Sequence, residues 1–162
     1  MQDIMDPDEL DIEDTMKGKY LVFMVDKEEY GIEIKFVTEI IGIQSITPIP
    51  DLPEYIKGVI NLRGKIIPVM DIRLRFGKEA RSYDDRTCVI VVDKDNISVG
   101  LVVDSVSEVT SISDEEISPP PRLNKSFHKY IKGIGKSANE VKLLLDCERI
   151  VESSEYADFQ QQ

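Results

Sequence analysis

The side chain with the clearest chemical potential is the arginine of the turn Asn61-Leu62-Arg63-Gly64. This segment separates two apolar runs, so we predict a tight turn in which Gly64 adopts a positive φ. Nothing in turn formation requires an arginine. The guanidinium could pair with a nearby carboxylate such as Glu39, or it could anchor a partner at the surface. The spacing leaves both roles open, and they do not exclude each other.

The other reactive side chains do not form a catalytic set. The single histidine, His128, has no nucleophile or second base at a catalytic spacing, and Cys88 and Cys147 lack the CxxC pattern of a zinc or redox site. The sequence also has no phosphate-binding glycine loop. It therefore predicts no catalytic residues, no metal site and no cofactor.

An internal repeat divides the chain into two similar halves. Tyr55-Ile56-Lys57-Gly58-Val59 recurs as Tyr130-Ile131-Lys132-Gly133-Ile134, and each copy runs on to an aspartate, Asp71 or Asp146, with the same 75-residue spacing. Glu39 and Glu108 also occupy matching positions. Residues needed in both copies are expected to serve the fold, which is built twice across a shared seam. The sharpest difference is the Arg63 turn, which becomes Lys136-Ser137-Ala138-Asn139 in the second copy.

The pattern of short β-branched segments predicts an all-β architecture. Hairpins are expected at residues 19–34 and 88–103, and further strands at 38–43, 58–62, 65–70, 106–112 and 141–145. Short helices are expected near residues 51–57, 127–131 and 147–156. Because the strands alternate with Gly, Pro and Asp turns, each half should curl into a small closed barrel. The surplus of aliphatic residues between Ile32 and Ile46 should fill the seam, or else form an apolar groove for another protein.

Composition limits the partners. A formal net charge of -11 disfavours nucleic acid and anionic membranes, since both bind basic faces. Residues 1–16 hold seven acids and no base, so we expect a disordered acidic tail. The absence of a signal peptide and of a long apolar span fits a reducing cytosol with free thiols and no direct insertion into a membrane.

Taken in order, the motifs resemble those of the CheW family of bacterial chemotaxis coupling proteins. Val37-Thr38-Glu39-Ile40 is followed by the run from Gly58 to Ile72, which contains the Arg63 turn, and then by Gly100-Leu101-Val102-Val103-Asp104-Ser105-Val106. The resemblance covers about residues 17–151 and implies two SH3-like five-stranded β-barrels related by duplication, with short helices and a short C-terminal helix. The first barrel would span about 17–84 and the second about 85–151, a division compatible with strand exchange, and residues 152–162 would form the C-terminal end.

The resemblance also implies an adaptor in place of an enzyme. Members of this family link the cytoplasmic tips of chemoreceptors (methyl-accepting chemotaxis proteins) to the regulatory domain of the histidine kinase CheA, so we expect a cytoplasmic protein recruited to membrane receptor arrays. Carried over by motif, the receptor-binding groove at the junction of the barrels would comprise Ile34, Val37, Glu39, Arg63, Cys88, Gly100 and Val106. The kinase-binding surface would lie largely on the first barrel, at Gly58, Ile66, Ile72 and Leu74. Two alternatives remain open: a CheW-like module of a larger chemotaxis protein, and a ligand-binding β-barrel of another class.

Overall fold

The computed structural model of the chain describes residues 16–120, 129–137 and 139–151. Eleven strands occur in these ranges: β1 Lys19–Val25, β2 Glu28–Glu33, β3 Val37–Gly42, β4 Ile56–Leu62, β5 Lys65–Asp71, β6 Cys88–Lys94, β7 Ile97–Val103, β8 Ser105–Ser111, β9 Ile117–Ser118, β10 Ile131–Ser137 and β11 Glu140–Leu145. Two short helices, α1 Ile72–Arg75 and α2 Cys147–Val151, and 3-10 turns at Ile34–Phe36 and Asp114–Glu116 complete the elements. The all-β prediction is confirmed.

The strands form two sheets that cross the boundary between the sequence halves. The first sheet has the order β3-β6-β7-β5-β4, and the second has the order β8-β1-β2-β11-β10-β9. The hairpin β1–β2 from the first half thus lies in the sheet of the second half, and β6–β7 lies in the sheet of the first. The exchange is symmetric, since the only parallel pairings among these strands are β5 with β7 and β2 with β11. The division at residues 84 and 85 therefore follows the repeat and not the sheets.

Two-residue turns set the register of the hairpins. Val25 pairs with Glu28, Leu62 with Lys65 and Lys94 with Ile97, so each loop contains two residues. In the last loop Asp95 has φ 52° and Asn96 has φ 68°. Positive φ at both central positions defines a type I′ turn, whose twist matches that of the flanking strands. Asp and Asn tolerate this conformation, which explains why the chain places them there.

The apolar side chains divide into three cores. The largest lies at the seam and draws on both sheets, with Phe23, Ile32, Ile90 and Leu101 among its fully buried members. A second core fills the concave face of the first sheet, where Ile41, Ile43 and Ile46 pack around it, and a smaller third core fills the second sheet. The seam hypothesis therefore holds for Ile32, Ile34 and Val37, which belong to or pack against the seam core, whereas Ile41, Ile43 and Ile46 pack in the core of the first sheet. Ile40 differs, since 43% of it is exposed at the edge strand β3.

The first barrel closes through a glycine. The chain beyond β3 returns to the free edge of β4, where the backbones of Thr47 and Val59 exchange two hydrogen bonds of 2.9 Å. Gly58 has φ 139°, and a Cβ there would lie 2.0 Å from the carbonyl oxygen of Thr47. Only glycine permits this approach and this backbone conformation. Its repeated Tyr-Ile-Lys-Gly context therefore serves barrel closure.

The three predicted helices differ in how well they agree with the structure. The helix at residues 51–57 is wrong: the amide of Ile56 reaches the carbonyl of Pro53 in one turn at 3.0 Å, and β4 begins at once. Asp51 has φ 66°, outside the right-handed helical region, and Pro53 disfavours a helical conformation of Leu52 before it. Of residues 127–131, only 129–131 are described, as a 3-10 turn followed by the start of β10. The final helix begins at Cys147 as predicted, and residues 152–156 lie outside the described ranges.

Helix α1 was not predicted, because four residues give too short a period to recognise. Asp71 caps it by accepting a hydrogen bond from the amide of Leu74 at 3.3 Å. In the second copy Asp146 accepts from the amide of Arg149 at 3.1 Å. The duplicated aspartates are therefore helix caps, a structural role of the kind expected for matching carboxylates.

Candidate functional site

The Arg63 turn is built as a rigid type I′ hairpin. Arg63 has φ 53° and Gly64 has φ 87°, and the amide of Gly64 donates to Oδ1 of Asn61 at 2.8 Å. The positive φ predicted for Gly64 is confirmed, and that of Arg63 was not foreseen. A non-glycine residue in this region is strained and needs a compensating contact. Here the contact is the hydrogen bond between Gly64 and Asn61 inside the type I′ turn, so the turn conformation does not depend on the arginine side chain.

Arg63 forms a bidentate ion pair with Glu39. Its Nη1 donates to Oε1 at 2.7 Å, and its Nη2 donates to Oε2. The hydrogen bond from Arg63 lowers the pKa of the Glu39 carboxyl, and the carboxylate raises the pKa of the guanidinium. The Arg63 side chain is nevertheless 72% exposed. Both roles left open by the sequence, pairing with a carboxylate and contact with a partner, are thus compatible with one geometry. Glu39 orients the guanidinium of Arg63, and the side chain stays accessible to solvent.

The pair joins the two edges of the first sheet. Glu39 lies on β3 opposite Val91, whose side chain belongs to the concave core of that sheet. Arg63 lies at the end of the β4–β5 hairpin, and β3 and β4 are the outermost strands of the sheet. Directly opposite residues share a face, so the pair spans the mouth of the first barrel. In the second copy Glu108 is exposed, and it has no ion pair within the described residues.

Four residues of the predicted receptor-binding set line the border of the seam. Ile34, Val37, Cys88 and Val106 are partly buried and pack against the seam core. Val37 pairs with Val92 at one end of β6, whereas Cys88 begins the other end, about 13 Å away at 3.3 Å per residue. Ile34, Val37, Cys88 and Val106 are therefore spread along the border of the seam, and we call these four residues the strip.

Gly100 differs from the other members of this set. It is buried, and a Cβ there would lie 2.8 Å from Cγ1 of Val89. Its position in the barrel interior gives a partner no access. We assign it to packing.

The predicted kinase-binding residues also differ in accessibility. Ile66 is 49% exposed and Leu74 is partly exposed, so both can meet a partner. Ile72 is 0% exposed and Gly58 is buried against Thr47, so neither can. We assign both to packing. The sequence could not separate these cases, since motif transfer carries a position and not its burial.

A charge cluster that the sequence reasoning missed ties α1 to the second sheet. The Arg73 side chain, only 9% exposed, contacts Asp26 at 2.5 Å and Asp104 at 2.8 Å. Asp26 follows β1, and Asp104 lies between β7 and β8. Arg81 contacts the same oxygen of Asp104 at 3.2 Å. The cavity beside this cluster measures about 10 Å³, which is room for about one water molecule.

Lys142 is a second charged residue that was missed. It is 3% exposed, and its Nζ lies 3.1 Å from Glu29 and 3.2 Å from Glu140. Burial acts to lower the pKa of Lys142, but the two carboxylates outweigh it and raise the pKa above its ordinary value. The matching position of the first copy is Ile67, so a comparison of the two copies was the signal that could have found it.

The described residues contain no cluster of three or more His, Cys, Asp or Glu side chains suited to a metal ion. Both cysteines are free, Cys147 buried and Cys88 partly exposed. Among the helices of the described ranges, none has the length and apolar character needed to cross a membrane.

Comparison with known proteins identifies the family. Residues 19–155 match the CheW-like domain. The chain is 40% identical over 145 residues to the chemotaxis protein CheW of Klebsiella aerogenes, covering 89% of this chain and 87% of that protein. It is 35% identical over 142 residues to the chemotaxis protein CheW of Bacillus subtilis, covering 86% and 91%. The chain belongs to the CheW family of chemotaxis coupling proteins.

A solved structure supports the same conclusion. The scaffolding protein TtCheW from Thermoanaerobacter tengcongensis superposes with a TM-score of 0.77 at 36% identity, covering 85% of this chain and 94% of that one. The fold is therefore the pair of SH3-like barrels that the resemblance implied, each completed by an exchanged hairpin.

Proposed function

We propose that this chain is a non-catalytic adaptor that links the cytoplasmic tips of chemoreceptors to the regulatory domain of the histidine kinase CheA. The observation that carries the proposal is the Arg63 turn. This chain is built on a duplicated scaffold, yet only its first copy has an arginine in this turn, and Glu39 orients that arginine while it stays 72% exposed. A preorganised, accessible guanidinium is suited to recognition.

The receptor tip would occupy the strip at the junction of the barrels. Ile34, Val37, Cys88 and Val106 present partly exposed apolar atoms there, next to the acidic and basic groups of Glu39 and Arg63. A helix of the receptor could bury this apolar surface and meet the charged pair at one end. Gly100 would act indirectly, since it leaves room for Val89 in the core of the first sheet.

The kinase domain would occupy the flank of the first barrel. Ile66, 49% exposed, and the partly exposed Leu74 are the accessible members of that set. We place Gly58 and Ile72 beneath it as support. Because the strip and the flank are different surfaces, one adaptor can hold both partners at once. Contacts in a switchable array should be small, below about 1,200 Å² of total buried area each.

The chain would act in the cytoplasm and join the membrane through its receptor partner. Catalysis is not part of the proposal, since neither the sequence nor the described residues present a nucleophile with an oriented base. The alternative of a CheW-like module in a larger chemotaxis protein uses the same surfaces. The alternative of a ligand-binding barrel receives no support from the comparisons.

Charge insertion tests the two surfaces separately. Val37→Glu and Val106→Glu should weaken receptor binding by at least tenfold and spare kinase binding, because a buried unpaired carboxylate is costly. Leu74→Glu should do the reverse. Val109→Glu is the matched control, since Val109 is on the same strand as Val106 and is already 51% exposed. A titration of receptor fragment into a preformed complex of adaptor and kinase domain should give a ternary complex. Displacement of the kinase domain would contradict the two-surface arrangement.

The role of the Arg63 turn is tested by alanine substitutions, and the second copy supplies the control. Arg63→Ala and Glu39→Ala should leave the thermal midpoint nearly unchanged and should impair receptor-dependent stimulation of the kinase. Glu108→Ala is the control, because this glutamate has the matching position without an arginine. If Arg63→Ala unfolds the protein while coupling at low temperature is normal, the arginine serves the fold and the proposal loses its main support.

A further inference from the structure

The two copies of the Tyr-Ile-Lys-Gly segment meet where the barrels join. The amide of Asp71 donates to the carbonyl of Tyr55 at 2.7 Å, and the amide of Asp146 donates to the carbonyl of Tyr130 at 2.6 Å. These equal contacts show that Tyr55 and Tyr130 are equivalent residues of the two copies. Tyr130 is 3% exposed, and Tyr55 packs against the seam core.

One guanidinium contacts both of these rings. The Cζ of Arg75 lies 4.6 Å from the ring centre of Tyr55 and 4.7 Å from that of Tyr130. Its Nη2 also donates to the hydroxyl of Tyr130 at 3.0 Å. A guanidinium is attracted to the face of an aromatic ring, and the attraction grows when water is excluded. Arg75 therefore joins the two copies at the seam.

This contact has no counterpart in the other copy. Arg75 follows Asp71 by four positions, and the residue that follows Asp146 by four is Ile150, which is 1% exposed in the seam core. Packing alone is thus satisfied by an aliphatic side chain at this place. Nε of Arg75 is buried without a hydrogen-bond partner, and no carboxylate within residues 16–120, 129–137 or 139–151 forms an ion pair with the guanidinium. Arg75 is partly exposed, but a buried donor without an acceptor is unfavourable for stability. Its presence points to a role other than filling space.

Helix α1 connects this contact to the surfaces of the proposed function. Arg73 on the same helix holds Asp26 and Asp104 at the second sheet and the β7–β8 connection. Leu74, between the two arginines, is partly exposed on the proposed kinase-binding flank. The residues on both sides of Leu74 therefore contact groups of the second barrel.

We infer that Arg75 is a positioning residue that fixes the angle between the two barrels, and that this angle relays the receptor state to the kinase-binding flank. The second half of this inference rests on the proposed function. The first half concerns the isolated adaptor alone. Arg75 need not contact either partner, because it acts through the relative orientation of the two surfaces.

The test replaces Arg75 by the residue of the other copy. Arg75→Ile should stay folded and should bind the receptor fragment and the kinase domain separately within about twofold of wild type, as distant sites usually behave independently. Receptor control of the kinase should fall at least about fivefold, the lower end of typical couplings between sites. Residual dipolar couplings of the free adaptor should fit one alignment tensor for both sheets in wild type and two in the variant. Arg86→Ile, at an exposed arginine outside the seam, is the control and should leave both measurements unchanged.

Two milder variants allow the test if Arg75→Ile does not fold. Arg75→Lys keeps the charge without the planar fork, and Tyr130→Phe keeps the ring without the acceptor; each should show a smaller loss of control and a partial reorientation. Unchanged dipolar couplings in all folded variants would overturn the positioning role. Altered couplings with full kinase control would overturn the relay. If wild type fails to bind either partner, the proposed function fails, while the dipolar couplings still decide the role of Arg75.

Discussion

Gly58 is the residue at which one added methyl group should open the first barrel. Its φ of 139° is a conformation that side chains rarely adopt, and a Cβ would meet the carbonyl oxygen of Thr47 at 2.0 Å against the 3.4 Å or more of an ordinary contact. The obstacle is backbone and cannot rotate away. Gly58→Ala must therefore move the segment that carries Thr47 away from β4.

The expected loss follows from these contacts. Holding a residue in a sparsely populated region costs about 1–3 kcal/mol. The movement also breaks the two 2.9 Å hydrogen bonds between Thr47 and Val59, each of which contributes about 1 kcal/mol net. Gly58→Ala should therefore lower the free energy of unfolding by about 3–5 kcal/mol, a large part of the 5–15 kcal/mol typical of a domain. The thermal midpoint should fall by roughly 10 °C, at about 2–4 °C per kcal/mol for a chain of this size.

The second copy supplies the matched control. A Cβ at Gly133 would meet Cγ2 of Ile117 at 2.7 Å and the carbonyl of Ser118 at 3.2 Å, and Gly133 is not among the residues with positive φ. A side chain can yield, so Gly133→Ala should cost only about 1–2 kcal/mol. Urea unfolding of both variants gives the comparison. The explanation fails if Gly58→Ala changes stability by less than about 1 kcal/mol, or if Gly133→Ala costs as much. Kinase binding of Gly58→Ala should fall only in proportion to its unfolded fraction.

Three further outcomes can be measured on the isolated protein. Burial acts to raise the pKa of Asp26, but the hydrogen bond and charge of Arg73 outweigh it and lower the pKa. The difference in free energy of unfolding between wild type and Asp26→Asn should therefore have its full value above about pH 4, where an unfolded aspartate is ionised. It should vanish as the pH falls through the lower pKa of Asp26 in the folded protein. Lys142→Ile should lower the free energy of unfolding by about 1–3 kcal/mol in urea titrations, because it leaves the buried Oε2 of Glu29 without its cation. Burial raises the pKa of the Cys147 thiol to about 12, so a thiol reagent at about pH 8 should modify Cys88 alone until the chain unfolds.

Local patterns predicted the turn correctly and also that the aliphatic surplus is buried, although only part of that surplus lies at the seam. Asn61-Leu62-Arg63-Gly64 between two apolar runs indicated a turn with positive φ at Gly64, and turn chemistry is a short-range property. The excess of aliphatic residues around Ile41 and Ile43 indicated more buried surface than one sheet face can provide. Both conclusions need only side-chain types and spacing, which the sequence contains directly.

Long-range features could not be obtained in this way. The exchange of β1–β2 for β6–β7 depends on which hairpin packs beside β5 and β11, and the pairing partner is not encoded in the hairpin itself. The site residues carried over by motif show the same limit. Ile72 and Gly58 were predicted to contact a partner but are buried, because a motif carries the position of a residue and not its exposure.

A comparison of the two copies distinguishes residues that serve the fold from residues with another role, which the inspection of one residue alone does not. Asp71 and Asp146 match, and each caps a short helix; Gly58 and Gly133 match, and each permits a close backbone approach. Matched residues thus serve the fold that the copies share. An unmatched polar residue at a matched place requires another cause, since the sister copy shows that the fold does without it. Arg75 against Ile150 is such a case at the seam, and the Arg75→Ile variant asks whether that cause is the relative orientation of the two barrels.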